Sequence, residues 1–284
     1  MTTNRQIVLA SYVTDAAQPE NFALSEGPIP ELGKGEFLLR NMYFSMEPAI
    51  RGWVDGKANY FEPIPIGGVV RGPSVGQVIK SRNNDFVEGD FVFALNQWED
   101  YSICNSDAIL LEKLQPEAGV PISYYVGSLG GAGATAFIGL HEVGQIQAGQ
   151  TVVVSAAAGA TGSMAGQIAK LCGCKVIGIV GSDKKAQLIV DEFGFDAAIN
   201  YKTDDITATV TALAPEGADI YFDNVGGPVL NAMLPAMKVY GRIVGCGMIS
   251  DYNRTDNPNP ITNLWEMVSR QLTMKGFLLP TYQA

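Results

Sequence analysis

The sequence has little of what metal centres and hydrolytic sites are built from. It contains one histidine, His141, and four cysteines, Cys104, Cys172, Cys174 and Cys246. The only close cysteine pair is C-x-C, which is neither the spacing of a zinc knuckle nor that of a redox C-x-x-C motif. A zinc enzyme would lack ligands, and a Ser-His-Asp hydrolase would have to use His141 as its base. We therefore expect no metal site and predict four free, buried thiols.

Long apolar runs and clusters of basic residues are also missing. No run of about 18 apolar residues exists, and residues 1–10 turn polar too early for a signal peptide. Lys and Arg number 19 against 29 Asp and Glu, for a net charge of −10, which argues against general binding to nucleic acid or anionic membrane. The sequence thus predicts a cytoplasmic protein. With 47% hydrophobic residues in 284, it is globular and long enough for about two domains.

The pattern of residues changes near position 126. Before it, short β-rich segments such as 36–40 and 76–80 are separated by Gly and Pro, as in a β domain. After it, Val/Ile-rich strands alternate with Gly/Ala-rich helices, as in βαβ units. The predicted strands are 151–155, 175–180, 197–201, 219–223, 241–246 and 272–277, and the predicted helices are 161–173, 183–193, 204–214 and 228–238. We predict an α/β protein with a β domain over 1–125 and a doubly wound, six-stranded parallel sheet over 126–284.

An A-x-G-x-x-G motif lies between the first strand and the first helix of this second half, at 157–162. Gly159 would let the backbone approach a pyrophosphate, Gly162 would let the helix pack on the strand, and the helix N-terminus would receive the anion. The alternative interpretation is that small residues here only allow close packing. Position within the βαβ unit favours a dinucleotide site.

The end of the second strand indicates which nucleotide would be bound. Enzymes that prefer NAD place an acidic residue about 20 residues after the motif, on the ribose hydroxyls. Here Gly181 stands at that place, and Lys184 and Lys185 begin the next helix, where they could meet a 2′-phosphate. This favours NADP. The alternatives are that both lysines are merely solvated and that Asp183 contacts the ribose of NAD, unless it caps the helix.

Two glycine-containing segments follow the fourth and fifth strands, at 222–227 and 246–253. Because the carboxyl ends of parallel strands share one edge of the sheet, both segments point to the same crevice. Gly226, Gly227 and Gly247 would admit a flat ring, and the Tyr252 phenol could donate a hydrogen bond to a developing oxyanion. The alternative is that Tyr252 packs as a loop aromatic residue.

Segments 156–163, 222–227 and 246–253, with 44–53 and 66–72 in the first half, resemble the zinc-independent medium-chain dehydrogenase/reductases over nearly the whole chain. The sequence is most similar to the group of prostaglandin reductases, leukotriene B4 dehydrogenases, plant double-bond reductases and curcumin reductases. The resemblance implies a GroES-like substrate domain (1–125), a Rossmann NADP-binding domain (126–284) and a homodimer. It also implies an alkenal/enone reductase that moves hydride from NADPH to the β-carbon of an α,β-unsaturated ketone or aldehyde, giving an enolate.

The resemblance also implies roles for individual residues. The residues implied to bind the cofactor are, at the pyrophosphate, Ala158, Gly159, Ala160, Thr161 and Gly162; at the 2′-phosphate, Lys185 and Tyr201; and near the nicotinamide, Asn224, Cys246, Gly247, Met248, Ile249, Ser250, Phe277, Leu278 and Leu279. Ser182 is also implied to bind the cofactor. Tyr252 would be catalytic, and Met46, Ala49, Trp53 and Tyr60 would line the substrate pocket with it. Several family members have a tyrosine where this chain has Ala49, so Tyr60 or Trp53 would fill that space.

The sequence departs from the family at its end. Family members continue past the sixth strand and return to the first domain, whereas this sequence stops at Ala284; the expectation is either a shortened chain or a differently built pocket. Three alternatives to an enone reductase follow: a quinone reductase of the same superfamily, a non-catalytic NADPH-binding protein, or a methyltransferase. The Cys-Gly-x-Ile-Ser-x-Tyr loop favours the enone reductase, while the lysine pair disfavours the methyltransferase.

Overall fold

The computed structural model describes residues 3–254 and 256–282. The chain divides into two units, Met1–Gly131 and Ala132–Ala284, whereas the sequence places the boundary at about residue 126. Within the described residues, no helix is long and apolar enough to cross a membrane.

The first unit is built from antiparallel strands. A two-stranded sheet has the order β1-β2, and a five-stranded sheet has the order β6-β3-β4-β5-β7. The strands are β1 (Thr3–Leu9), β2 (Phe22–Pro28), β3 (Glu36–Phe44), β4 (Arg71–Ser81), β5 (Phe91–Gln97), β6 (Tyr101–Asn105) and β7 (Glu112–Leu114). Three short 3-10 helices, Pro19–Asn21, Pro48–Trp53 and Ile122–Tyr125, interrupt this pattern. The predicted segments 36–40 and 76–80 lie within β3 and β4.

A buried polar cluster joins β1 to β3, to β6 and to the turn between β5 and β6. The carboxylate of Glu99 accepts hydrogen bonds from Asn4 Nδ2 at 2.9 Å, Gln6 Nε2 at 2.6 Å and Ser102 Oγ at 2.9 Å. Asn41 Nδ2 donates to the main-chain oxygen of Glu99 at 2.9 Å. Because a buried carboxylate is costly unless its oxygens are satisfied, these donors account for the presence of Glu99 in the interior.

The second unit holds a six-stranded sheet in which every pair of neighbours is parallel, in the order β10-β9-β8-β11-β12-β13. Its elements are α1 (Gly131–Ile138), β8 (Thr151–Ser155), α2 (Ala160–Leu171), β9 (Lys175–Val180), α3 (Asp183–Asp191), β10 (Ala197–Asn200), α4 (Ile206–Leu213), β11 (Ala218–Asp223), α5 (Gly227–Met233), β12 (Met237–Gly245), α6 (Trp265–Ser269) and β13 (Thr273–Gly276). A π-helical turn, Gly139–Val143, follows α1, and 3-10 turns occupy Leu234–Ala236 and Leu279–Tyr282. The predicted doubly wound sheet is confirmed.

The inner strands of this sheet are buried on both faces, and successive side chains of each strand point to opposite faces. In β8, Val153 packs into one cluster with residues of α4 and α5, such as Val210 and Met233. Its neighbours Val152 and Val154 pack into the other cluster with residues of α1, α2 and α3. Coverage on both sides explains the continuous apolar strands that the sequence shows.

The largest error in the predicted elements concerns helix 228–238 and strand 241–246. The helix α5 ends at Met233, a 3-10 turn covers Leu234–Ala236, and β12 already begins at Met237. Pro235 supplies the physical reason, because a proline has no amide hydrogen to continue a helix and restricts the residue before it. The predicted helices and strands elsewhere in this unit differ from the structure by a few residues at their ends.

Candidate active site

The order of the strands places the site. The chain passes from β8 outward to β9 and β10 on one side, and to β11, β12 and β13 on the other. In such sheets, ligands bind beyond the carboxyl ends of the strands at the point where the order reverses. The segments that follow β8, β9, β11 and β12 therefore meet at one edge.

The loop after β8 is shaped by close backbone contacts. Ala156 adopts a left-handed conformation, with φ of 49°, and its carbonyl oxygen accepts from the amide of Gly159 at 2.8 Å. A Cβ atom built on Gly162 would overlap that same carbonyl oxygen. Only glycine therefore allows α2 to start this close to the loop, which gives the second glycine of the motif a structural role.

The N-terminus of α2 is open toward the edge of the sheet. Gly159 is the N-cap residue and offers no side-chain cap, and the first turn holds no acidic residue. The first amides of an α-helix have no partner within the helix and carry the positive end of its dipole. Those amides belong here to Ala160, Thr161 and Gly162, so this helix start is suited to an anion such as a pyrophosphate.

The end of β9 leads into α3 with a serine cap. Ser182 Oγ accepts from the amide of Lys185 at 3.4 Å. Asp183, which the sequence allowed as a cap, instead accepts from Asn200 Nδ2 at 2.7 Å through Oδ1. The capping role considered for Asp183 thus belongs to Ser182. Asn200 is buried, and its bond holds the Asp183 carboxylate against the end of β10.

The lysine pair and Tyr201 lie at the same corner. Lys184 and Lys185 are exposed, and neither forms an ion pair with any residue that the structure describes. A Cβ atom on Gly181 would lie 3.0 Å from the ring of Tyr201, so the missing side chain makes room for that ring. Tyr201 is half exposed. An exposed phenol and two exposed ammonium groups are suited to a phosphate.

At the end of β11, a buried carboxylate organises the chain. Asp223 is 2% exposed, and its Oδ1 accepts from the amides of Val225 and Gly226, each at 2.9 Å. It also accepts from the hydroxyl of Tyr221 at 2.7 Å and from Ser155 Oγ at 3.2 Å. Burial raises the pKa of Asp223, and these hydrogen bonds offset part of that rise. No local sequence pattern predicts this arrangement.

The loop after β12 lies against the loop after β11. Ile249 N donates to Asn224 O at 3.2 Å. Ser250 N donates to Val225 O at 3.1 Å, and Ser250 Oγ donates to the same oxygen at 2.7 Å. Asn224 Nδ2 in turn donates to Ser155 O at 2.7 Å. Segments 222–227 and 246–253 are therefore brought together as the sequence predicts.

Tyr252 lies over this pair of loops. Its hydroxyl oxygen accepts from Met248 N at 3.4 Å, and a Cβ atom on Gly247 would lie 3.1 Å from that oxygen. Burial raises the pKa of Tyr252, so the phenol keeps its proton at neutral pH. Burial also raises the pKa of the neighbouring Cys246 thiol to about 12, which makes that thiol unreactive.

The three residues after β13 differ in environment. Phe277 packs on the core cluster that contains Phe222, and a Cβ atom on Gly139 would lie 2.6 Å from Phe222 and 2.9 Å from Phe277. Leu278 is exposed. Leu279 begins the last 3-10 turn. Of the three, Phe277 is largely occupied by packing within this unit.

In the first unit, the predicted substrate residues lie in and beside the 3-10 helix Pro48–Trp53. Met46 is 77% and Tyr60 is 51% exposed, whereas Trp53 is 3% exposed. The Trp53 ring meets Phe61 edge-on with centroids 5.2 Å apart, in the core cluster that Ala49 also packs against. Of the two aromatic residues considered as replacements near Ala49, only Tyr60 offers an accessible ring.

Glu47 is a further residue that the sequence did not single out. Burial raises the pKa of its carboxyl, and a hydrogen bond from Ser45 Oγ to Glu47 Oε1, 3.0 Å long, lowers it in part. The carboxyl lies immediately before the 3-10 helix, between Met46 and Ala49. Nothing local in the sequence distinguishes such a half-desolvated glutamate from a solvated one.

The cysteines and the histidine are distributed as single groups. All four cysteines are free, which confirms that prediction, but only Cys104 and Cys174 are buried. His141 Nδ1 lies 3.0 Å from Phe137 O, and its Nε2 lies 3.8 Å from Cys172 Sγ. Among residues 3–254 and 256–282, no group of three or more His, Cys, Asp and Glu side chains is placed to hold a metal ion.

Two family profiles match the chain. One, described as an N-terminal domain of oxidoreductase, covers residues 5–111, and another, described as a zinc-binding dehydrogenase, covers residues 160–284. The chain is 39% identical to the 2-alkenal reductase (NADP(+)-dependent) of Nicotiana tabacum, over 99% of this chain and 82% of that protein. It is 38% identical to the NADPH-dependent curcumin reductase of Escherichia coli (strain K12), over 97% of this chain and 80% of that protein.

Solved structures agree with these matches. CurA from Vibrio vulnificus in complex with NADPH superimposes with a TM-score of 0.88 at 41% identity, over 97% of this chain and 82% of that one. The superposition includes both units. The predicted combination of a GroES-like β domain with a Rossmann sheet is thereby confirmed.

Proposed function

Because this chain belongs to the zinc-independent medium-chain dehydrogenase/reductases, we propose that it reduces the C=C bond of α,β-unsaturated ketones and aldehydes with NADPH. The observation that carries the proposal is the position of the Tyr252 hydroxyl, beside Met248 N and Gly247 on the paired loops at the carboxyl edge of the sheet. In this proposal, the predicted domain 126–284 binds the cofactor and the predicted domain 1–125 supplies the substrate residues.

The residues present fit NADPH. The open start of α2 suits the pyrophosphate, with Ala158 and Gly159 leading into the amides of Ala160, Thr161 and Gly162. At the end of β9, an acid that would favour NAD is replaced by Gly181, and exposed Lys185 and Tyr201 suit a 2′-phosphate. The bound cofactor would supply the hydride.

The nicotinamide end is assigned to the paired loops. Asn224 and residues 246–250 form hydrogen bonds that leave their backbone at the carboxyl edge. The implied contacts of the nicotinamide are Asn224, Cys246, Gly247, Met248, Ile249, Ser250, Phe277, Leu278 and Leu279. Glycine at 247 keeps that backbone free of bulk beside the Tyr252 hydroxyl, as a flat ring would require.

The protein's part in the reaction is then positional and electrostatic. When hydride reaches the β-carbon of the substrate, negative charge develops on the carbonyl oxygen. A protonated Tyr252 donates a hydrogen bond to that oxygen, which stabilises the enolate before it takes up a proton. Met46, Ala49 and Tyr60 would contact the substrate, whereas the buried Trp53 would support the fold around them.

The decisive experiment follows NADPH absorbance as the protein meets a medium-length enone, a simple quinone, or neither. We expect NADPH loss that depends on the enone and is faster than with NADH in parallel. Loss with the quinone alone would identify a quinone reductase instead. Tight binding of NADPH without turnover of either compound would indicate a non-catalytic NADPH-binding protein.

We further propose a homodimer in the cytoplasm. The strand β13 ends the parallel sheet, and all four of its residues are exposed. A strand edge with free backbone groups can pair with the same edge of a second copy around a two-fold axis.

The proposed location in the cytoplasm is supported by the four free cysteines, which suit a reducing compartment. Light scattering should give twice the mass of one chain, and cell fractionation should place the protein in the cytoplasm.

A further inference from the structure

Asp223 connects three strand ends that are far apart in the sequence. Its carboxylate accepts from Ser155 at the end of β8 and from Tyr221 within β11. Its main-chain oxygen accepts from the amides of Cys246 and Gly247, just after β12, at 2.9 and 3.0 Å. One residue thus ties together the carboxyl ends of β8, β11 and β12.

The same carboxylate fixes an unusual backbone course. Both Gly226 and Gly227 have positive φ values, 68° and 50°, and the carboxylate holds the amides of Val225 and Gly226 at the start of this bend. The bend turns the carbonyl of Val225 toward Ser250, which donates to it twice. The position of the loop that carries Tyr252 therefore depends on Asp223 through a continuous chain of hydrogen bonds.

The hydrogen bonds of Asp223 reach β8 at Ser155 and do not extend to the helix starts beyond it. The loop at Gly159 and the cap at Ser182 are held by their own contacts, the first to Ala156 and the second to Lys185. Neither set of contacts includes Asp223. A change at Asp223 should consequently alter the loops after β11 and β12 while leaving the start of α2 and of α3 in place.

We propose that Asp223 is a positioning residue that sets the geometry of the nicotinamide end of the site, acting through Val225, Gly226 and the 246–252 loop. The inference rests on the proposed function, which assigns these loops to the nicotinamide. Asp223 itself need not touch the cofactor or the substrate. A change at Asp223 should therefore lower the affinity for NADPH and leave unchanged the affinity for a ligand that has only the adenine end.

The test compares NADPH with 2′,5′-ADP, which has the adenine end and the 2′-phosphate but no nicotinamide. Replacing Asp223 by Asn keeps Oδ1 as an acceptor but removes the charge that strengthens its four hydrogen bonds. Because charge-assisted hydrogen bonds are roughly twice as strong as neutral ones, we expect Asp223→Asn to raise the Kd of NADPH about tenfold. The Kd of 2′,5′-ADP should stay the same, and the fluorescence change of NADPH on binding should decrease.

Two further variants complete the comparison. Ser155→Ala removes one donor to the carboxylate and the acceptor of Asn224 N, so it should act in the same direction with a smaller effect; it also decides the matter if Asp223→Asn does not fold. Lys185→Ala is the control at the other end of the cofactor. It should raise the Kd of NADPH and the Kd of 2′,5′-ADP by the same factor, since both ligands carry the 2′-phosphate.

Clear outcomes would overturn the inference. Equal weakening of both ligands by Asp223→Asn or Ser155→Ala would mean that the residue supports the whole unit and not one end. Unchanged binding of NADPH by both variants would mean that the loops keep their places without it. Because both readouts are binding, they stand even if the wild-type protein reduces no enone, which would count against the proposed function alone.

Discussion

The two halves of the carboxyl edge are held in different ways. On the side of β8, β9 and α2, close packing lies behind the edge: within α2, a Cβ atom on Gly166 would overlap the Phe195 ring, and within β9, one on Gly178 would overlap Ile189. On the side of β11 and β12, the contacts are hydrogen bonds that converge on Asp223. The first side should therefore be sensitive to an added atom at these glycines, and the second should in addition be sensitive to loss of the Asp223 acceptor.

The difference suits the chemistry proposed for each side. A pyrophosphate is bound by backbone amides, so the chain has to approach closely and glycines make that approach possible. A nicotinamide has to be held at a fixed distance from a substrate, so the loops around it need defined positions that bulk alone does not give. Close packing thus suits binding of the pyrophosphate, and the hydrogen-bonded carboxylate suits positioning of the nicotinamide.

The largest effect should come from Tyr252→Phe, on the hydrogen-bonded side. Loss of the hydroxyl removes the donor to the developing oxyanion and should lower kcat about a hundredfold, the size typical of one such donor. Steady-state kinetics with a saturating enone measure this. Tyr43→Phe, at an exposed tyrosine of β3, is the matched control and should leave kcat unchanged. An unchanged kcat in Tyr252→Phe would refute the oxyanion role.

Gly166→Ala tests the packed side. The added methyl would overlap the ring of Phe195. Overpacking of this kind costs about 1–3 kcal/mol of unfolding free energy and helix propensity returns about 1 kcal/mol, so we expect a net loss of up to about 2 kcal/mol. Urea denaturation measures the difference. Gly27→Ala is the control, because a Cβ atom on Gly27 in β2 would meet nothing within 4 Å.

A double variant identifies the cause of that loss. If the clash with the ring destabilises Gly166→Ala, then Phe195→Leu should cost less in the Gly166→Ala background than alone, because the smaller side chain makes room. Additive losses would show that the methyl acts elsewhere.

The sequence predicts features of the packed side better than features of the hydrogen-bonded side. The glycine loop at 157–162 and the alternating strands are local patterns, and the structure has them where they were expected. The bond between Ser155 and Asp223 joins residues 68 positions apart, and no local pattern encodes it. The burial of Trp53 has no local pattern for a similar reason, since it depends on Phe61 and the rest of its cluster.

Lys185→Ala tests how the packed side selects its nucleotide. If the ammonium meets the 2′-phosphate, the KM for NADPH should rise about tenfold, as expected for a charge-assisted bond at an exposed position. The KM for NADH should change little, because NADH lacks that phosphate. Lys184→Ala is the neighbouring control. Equal changes for both cofactors would show that Lys185 does not recognise the phosphate.

The smallest effect, at Ser182, separates a cap from a ligand contact. The cap bond is long, 3.4 Å, so Ser182→Ala should cost about 0.5 kcal/mol of stability, and Ser182→Gly only a few tenths, since glycine is a fair N-cap and alanine is a poor one. If the Ser182 hydroxyl only caps α3, both variants should bind NADPH with the affinity of the wild type and differ from each other only in urea denaturation.

If the hydroxyl also donates to the 2′-phosphate, both variants should raise the Kd of NADPH equally, since both lack the donor. Stability and affinity therefore respond to different properties of the two replacements, and measuring both in both variants assigns Ser182 to the fold alone or to the fold and the cofactor together.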